Sequence, residues 1–154
     1  MDISSHANNN ESFRAKIITT MKANELRLGN LVNWNFEIAK ISQILEVEVA
    51  FKCGDIGFIS DLNPIPLTEG WLLNFGFEKK VFNSDIYDGV EYNLEINGFI
   101  LNYYDDDNDF SLAIHLKKND FGFCPDLSLF KNVHQLQNLY FALTGKELTI
   151  KNQE

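Results

Sequence analysis

The feature that most constrains the fold of this chain is the run from residue 133 to residue 150, VHQLQNLYFALTGKELTI. Its apolar residues recur with helical spacing, which predicts an amphipathic helix lying on a core. The apolar stripe contains Val133, Leu136, Leu139, Tyr140 and Leu143. The opposite, polar side contains His134, Gln135, Gln137 and Asn138. Gly145 is placed to end the helix in a left-handed conformation, and Leu148 to Ile150 are expected to return as a short strand.

Phe141 breaks this pattern, because it projects from the polar side of the predicted helix. Such a ring must either be covered by another segment or be offered to a partner. Small α+β domains often lay a strand or loop over the flank of their only long helix, which favours the covered arrangement. Phe141 nevertheless remains a candidate partner-binding residue.

Length and composition predict one globular domain. The chain has 154 residues, of which 45% are apolar and 13% aromatic, enough for a real core. Cys53 and Cys124 cannot form a disulfide framework, and neither a secretory leader nor an 18-residue apolar run is evident. We therefore expect a cytoplasmic protein with free thiols and no membrane partner.

The first twenty residues differ from the rest, since they are polar, contain an Asn run and show no sustained period. They predict a disordered extension, residues 1–20, with Met21 as a possible working start. The alternative is that Phe13 to Ile18 forms an extra helical turn or edge strand. Residues 21–154 are expected to form a single α+β domain.

The segment 21–66 favours a small, curled, SH3-like antiparallel sheet. Arg27 to Trp34 and Glu37 to Ile41 read as a hairpin through Asn35 and Phe36. Strict alternation from Leu45 to Phe51 predicts a half-buried strand, and Ile56 to Ile59 follow the turn at Gly54 and Asp55. Thr68 then offers the N-cap of a short helix that Gly76 ends.

The segment 67–154 contains the clearest hairpin. Asn97 and Gly98 both tolerate positive φ and predict a two-residue type I′ turn. This turn would pair Ile96 with Phe99, Leu94 with Leu101 and Tyr92 with Tyr103 on one apolar face, leaving a mostly wet face opposite. A third strand from Phe110 to Leu116, and a fourth at Phe121 to Phe123, would complete a β-meander packed by the C-terminal helix. The predicted class is α+β, with mostly antiparallel strands, one short helix and one longer one.

Three phrases carry a family resemblance: MKANELRLGNLVNW, NPIPLTEGWLLNFGFEK and VHQLQNLYFALTGKELTI. Together they resemble a family of small uncharacterised proteins encoded by gut bacteria and by their phages and mobile elements. The resemblance covers both ends and the centre of residues 21–150, but not residues 1–20 or the segment from about Ser84 to Leu129. It implies an accessory gene of phage or mobile-element origin in a bacterial cell, and it transfers no activity or catalytic residue.

The acidic charge is concentrated in one segment. The formal net charge is −9, and residues 85–127 alone hold ten acids and two bases. Such a field repels a nucleic acid backbone and favours a protein partner that is basic or itself binds nucleic acid. The candidate partner-binding acids are Glu91, Glu95, Asp105, Asp106, Asp107 and Asp109. The alternative is a solvated surface that keeps an apolar domain soluble.

The motifs that would carry catalysis or cofactor binding fail. In YYDDDNDF the acids at 105, 107 and 109 alternate as in a calcium-binding EF-hand loop, but Phe110 and Leu116 stand where glycine and a bidentate acid are required. The cysteines and histidines lack zinc spacing, and the glycines form neither a P-loop nor a dinucleotide fingerprint. Trp34 and Trp71 are more typical of core anchors than of a ligand cleft. No metal, cofactor or catalytic residue is therefore assigned.

Two function classes follow from the sequence. The first is a non-enzymatic, acidic protein-binding accessory that uses the acidic face or the Phe141 side of the helix. The alternative is a small-molecule or cation-binding domain, or an enzyme of unknown type, with a cleft between the two halves.

Overall fold

The computed structural model describes residues 21–83, 88–106, 109–116, 122–123 and 130–151. Within these residues the chain forms two antiparallel sheets and two α-helices, which confirms the predicted α+β class. The first sheet contains β1 (Leu31–Trp34), β2 (Glu37–Ile44), β3 (Glu48–Phe51) and β4 (Ile56–Phe58). Helix α1 (Glu69–Asn74) leads to the second sheet, which contains β5 (Glu78–Asn83), β6 (Asp88–Ile96), β7 (Phe99–Asp106), β8 (Asp109–Leu116) and β9 (Gly122–Phe123). Helix α2 (Val133–Thr144) comes last.

The first sheet is curled, as predicted. Its strands follow chain order, and the register between β2 and β3 shifts between Ile41 and Gln43. The curl brings Trp34 of β1 onto Gly57 of β4, where an added Cβ would lie 2.5 Å from the indole nitrogen. Because only glycine leaves room for the ring, this contact lets the two edges of the sheet approach each other. Trp34 also packs against Phe51, with ring centroids 4.7 Å apart, in a core of its own.

The hairpin between β1 and β2 turns where the sequence places it. Asn35 and Phe36 both have positive φ, at 51° and 66°, and Phe36 is 99% exposed at the tip. The predicted strand from Leu45 is wrong at its start, because the Leu45 amide donates to the Glu48 carbonyl across a turn and β3 begins only at Glu48. The alternation of apolar and polar residues continues through this turn, and the predicted strand therefore began too early.

The second sheet is a meander in chain order, β5 to β9, and the predicted register is confirmed. Ile96 pairs with Phe99, Leu94 with Leu101 and Tyr92 with Tyr103 around a turn in which Asn97 and Gly98 have positive φ. Strand β5 was not predicted, because its EKKVFN sequence lacks apolar alternation. It lies at the edge of the sheet.

Helix α2 packs on the meander through the predicted apolar stripe. Val133 and Leu136 are fully buried in the same cluster as Tyr92, Leu101 and Tyr103. The Gln135 side chain accepts from the Asn132 amide at the start of the helix, and left-handed Gly145 ends it with an N–H bond to Phe141. The predicted strand at Leu148 to Ile150 is wrong, since this segment is irregular.

Two further points complete the description of the fold. Residues 1–20, for which a disordered extension is predicted, lie outside the described residues. Within the described part of the chain, none of the helices has the length and apolar character needed to cross a membrane.

Candidate functional site

The predicted polar side of α2 is largely an internal surface. His134 and Gln137 are both almost completely buried, and Asn138 is half-buried. They face the residues around the start of β1 instead of solvent. Helix α2 therefore lies between the two halves of the molecule, with its apolar stripe on the meander and its amides on the first half.

Gln137 is the centre of this contact. Its Oε1 accepts from the backbone amide of Leu31 at 2.8 Å. Its Nε2 donates to the carbonyls of Gly29 and Leu148, each at 3.4 Å. One side chain thus joins the entry to β1, the helix and the C-terminal segment.

A second amide pair lies one residue further along the helix. Asn30 Nδ2 donates to Asn138 Oδ1 at 2.9 Å, and Asn138 Nδ2 donates to the Glu25 carbonyl at 2.8 Å. Asn30, itself fully buried, also accepts from the Arg27 amide at 2.8 Å. These bonds satisfy polar groups that would otherwise be buried without partners.

His134 is buried in the same contact without hydrogen-bond partners. Neither of its ring nitrogens bonds to a described residue. Burial lowers the pKa of the imidazole, and the nearby charge of Glu25 opposes this effect. Burial therefore favours the neutral form of the ring over its charged form.

Phe141 is covered by a residue from the segment before β1. The Arg27 guanidinium lies 3.5 Å from the centre of the Phe141 ring, and the same side chain forms an ion pair with Glu147 at 3.2 Å. The ring is half-buried. A role for Phe141 in binding a partner stays a prediction, on a surface that Arg27 already occupies in part.

A cleft of about 740 Å³ opens beside the Gln137 contact, between the outer face of the first sheet and the C-terminal segment. Among the described residues, its lining combines apolar and aromatic side chains with three lysines, without an acid, histidine or cysteine. The lining residues are Gly29, Leu31, Ile38, Lys40, Lys52, Trp71, Gln137, Leu148, Thr149, Ile150 and Lys151.

The lysines reach the cleft from different parts of the chain. Lys40 stands opposite Leu31 in the β1–β2 register, and its carbonyl accepts from the Lys52 amide at 2.9 Å. Neither Lys40 nor Lys52 makes an ion pair with a described residue. Lys151 is anchored at the opposite end, where its amide donates to the Asn74 carbonyl at 2.9 Å and its Nζ to the Gly76 carbonyl at 3.4 Å.

Trp71 connects this cleft to the core. It packs on the meander cluster and against Phe75, with ring centroids 5.6 Å apart, while part of its ring lines the cleft. Trp34, by contrast, belongs to the core of the first sheet. Trp34 is therefore a core residue, whereas Trp71 both packs on the core and lines the cleft.

The acidic face of the meander is partly engaged in its own network. Glu91 accepts from Asn102 Nδ2, and in the favoured amide orientation Asn93 also donates to Glu91. Glu95 lies exposed on the same strand, four residues after Glu91. A partner-binding role for Glu91 and Glu95 stays a prediction.

The aspartates of the predicted acidic loop are described only by their backbone or not at all. Asp105 pairs with Phe110 and Asp106 with Asp109 at the end of the β7–β8 hairpin, while Asp107 lies outside the described residues. Their side chains are likewise outside the description, as is Cys124. Among the described residues there is no cluster of three metal-ligating side chains.

Comparisons with protein-family models, with curated proteins and with solved structures find no match to this chain. The choice of this cleft as the candidate site therefore depends on its geometry alone. Sequence reasoning missed Lys40, Lys52 and Lys151, because lysines on exposed strands and near a terminus resemble ordinary solvated residues. Backbone pairing in the first sheet brings Lys40 and Lys52 together, and the packing of the two halves around α2 brings Lys151 to the same opening.

Proposed function

We propose that this protein is a non-enzymatic binding module that holds a small anionic ligand in the cleft between its two halves. The observation that carries the proposal is the lining, which gathers Lys40, Lys52 and Lys151 around one opening without a carboxylate among its described residues. In a chain with net charge −9, such a lining is a local reversal of sign. A cleft walled by one sign of charge concentrates ligands of the opposite sign.

The same charges favour a compact ligand over a polymer. A nucleic acid strand would extend beyond the lysines onto a protein with nine excess negative charges, where its phosphates are repelled. A small anion can bind at Lys40 and Lys52, whereas Lys151 also borders an opening lined by Glu78, Glu91 and Glu95. The apolar residues Leu31 and Ile38 then give the ligand a surface to cover.

Binding rather than catalysis fits the lining. General acid–base and nucleophilic chemistry in enzymes relies mostly on histidine, carboxylate, cysteine or an activated hydroxyl held by a base. Of these groups the cleft offers the Thr149 hydroxyl, without a basic partner beyond the lysines. Lysine ammonium groups serve well as point charges for phosphate-like anions.

The test uses inorganic tripolyphosphate as the probe and isothermal titration calorimetry as the measurement. The double variant Lys40→Gln/Lys52→Gln should bind at least tenfold more weakly than the unmodified protein. The control Lys22→Gln/Lys146→Gln removes the same charge from exposed positions outside the cleft and should bind normally. Equal losses in both double variants, or no binding by the unmodified protein, would overturn the proposal.

A further inference from the structure

We infer that the ligand of this cleft is an organic phosphate carrying a flat ring, of the nucleotide class, with its phosphates at Lys40 and Lys52 and its ring toward Trp71. This inference rests on the proposed function and adds the chemistry of the second half of the ligand. It follows from which parts of the chain supply the charged, aliphatic and aromatic residues of the lining.

A neighbouring cavity indicates where in the cleft Lys40 and Lys52 lie. Lys40 and Lys52 also line a second opening of about 340 Å³, together with Leu28, Ser42 and Glu147. They therefore stand where the cleft continues onto the first half. The carboxylate in that opening, Glu147, is paired with Arg27 at 3.2 Å, which reduces its repulsion of an anion.

The opposite end is aromatic. Trp71 belongs to α1, and Lys151 beside it lies over Gly76, just beyond that helix. The contact with Phe75 and the meander cluster holds the indole in place, so a flat ligand ring meets a prearranged surface. Stacking of bases on aromatic side chains is a general source of affinity in proteins that bind single-stranded nucleic acids.

The strands that carry Lys40 and its pairing partner also supply aliphatic residues to the lining. Leu31 is half-buried and Ile38 is 60% exposed, and both lie on the outer face of the first sheet with Lys40. An isoleucine exposed to this extent inside a lysine-bearing cleft is a surface that a ligand body can cover. A bare inorganic anion would leave this apolar surface wet. The lining thus matches a ligand with phosphate at one end and a flat ring at the other, where the Nζ of Lys151 donates to the Gly76 carbonyl.

The volume of the cleft suits such a molecule. A volume of about 740 Å³ lies within the roughly 300–1,000 Å³ that small-molecule sites occupy. The site lacks a glycine-rich phosphate loop, so recognition depends on lysine point charges. We therefore expect the phosphate contribution to weaken strongly as salt is added.

The experiment compares ATP, tripolyphosphate and adenosine by calorimetry in the presence of EDTA, so that no divalent cation shares the charge. ATP should bind at least tenfold more tightly than either fragment. In a Trp34→Phe background, Trp71 is the remaining tryptophan, and ATP should change its fluorescence while tripolyphosphate should not.

A matched pair of exposed isoleucines tests the apolar wall. Ile38→Ser should weaken ATP binding several-fold and leave tripolyphosphate binding unchanged. Ile56→Ser is the control, because Ile56 is also 60% exposed on the first sheet but lies outside the cleft lining. Circular dichroism confirms that each variant is folded.

The outcomes separate the two proposals. Equal affinity for ATP and tripolyphosphate, with dependence on Lys40 and Lys52 retained, overturns the ring site and leaves the anion site standing. Adenosine binding as tightly as ATP overturns the assignment of phosphate to the lysines. Absence of binding by both ATP and tripolyphosphate overturns both proposals.

Discussion

The two sides of helix α2 hold the two halves of the molecule by different means. Toward the meander the helix buries Val133 and Leu136 in a continuous apolar core. Toward the first half it presents Gln137 and Asn138, which hydrogen-bond to the backbone and to Asn30. Apolar burial supplies most of the stabilisation and tolerates small shifts, whereas amide bonds demand a defined geometry. The cleft opens beside the side of α2 that carries these amide hydrogen bonds.

The largest expected effect is on the apolar side. Leu136→Ala should lower the free energy of unfolding by about 2–5 kcal/mol, because the side chain is fully buried and its removal leaves a cavity. Urea denaturation followed by circular dichroism measures the change. The control Leu139→Ala removes the same atoms at a partly buried position. An equal or greater loss at Leu139 would contradict the view that Leu136 is the central contact.

The second effect is on the amide side. Gln137→Leu should cost about 1–3 kcal/mol, since it leaves the Leu31 amide and two carbonyls without their partner. Hydrogen exchange should accelerate at the Leu31 amide more than at the meander amides. Gln43→Leu on the exposed face of β2 is the control. Uniform acceleration throughout both sheets would show instead that the two sides of the helix are not energetically distinct.

The third effect is a dependence on pH. Burial places the folded-state pKa of His134 below its ordinary value of about 6.5, so the unfolded chain takes up the proton first as pH falls. The free energy of unfolding should therefore be highest above pH 6.5 and decrease below it, with a slope for one proton of at most about 1.4 kcal/mol per pH unit.

The test of this pH dependence compares the unmodified protein with His134→Leu by denaturation at several values between pH 7.5 and 5.5. The variant should lose the slope that His134 contributes, because leucine takes up no proton. His115→Leu, at the other described histidine, is the matched control. A slope that persists in His134→Leu and disappears in His115→Leu would contradict the prediction, because the pH dependence of stability would then come from His115.

The smallest effect concerns the cover over Phe141. Arg27→Gln should lower stability by about 0.5–1 kcal/mol, because it removes a cation from the ring and the ion pair with Glu147. A double-mutant cycle with Phe141→Leu isolates the ring contact. A coupling energy near zero would mean that Arg27 only lies over the ring without stabilising it.

Much of the fold could be predicted because local patterns determine it. Asn97 and Gly98 permit one kind of turn, and that turn sets the register of β6 and β7. The apolar stripe of α2 likewise identifies the side that meets the meander. These are short-range rules, in which the residues that carry the signal are also the residues that form the structure.

The rest could not be read from short-range patterns. His134 and Gln137 look like solvent-facing residues, and their burial depends on where the first half docks. The lysines of the cleft are separated by up to 111 positions, and each is unremarkable in its own neighbourhood. A site made by packing two halves around a helix leaves no contiguous motif.

The close approach of Trp34 to Gly57 links two positions on opposite edges of the first sheet. The space that one side chain takes is the space that the other must leave free, so the two positions share a fixed volume. We therefore expect related sequences to vary at these positions in concert, with a larger residue at position 57 accompanied by a smaller ring or an aliphatic side chain at position 34. A change at either site alone would open the seam of the curled sheet.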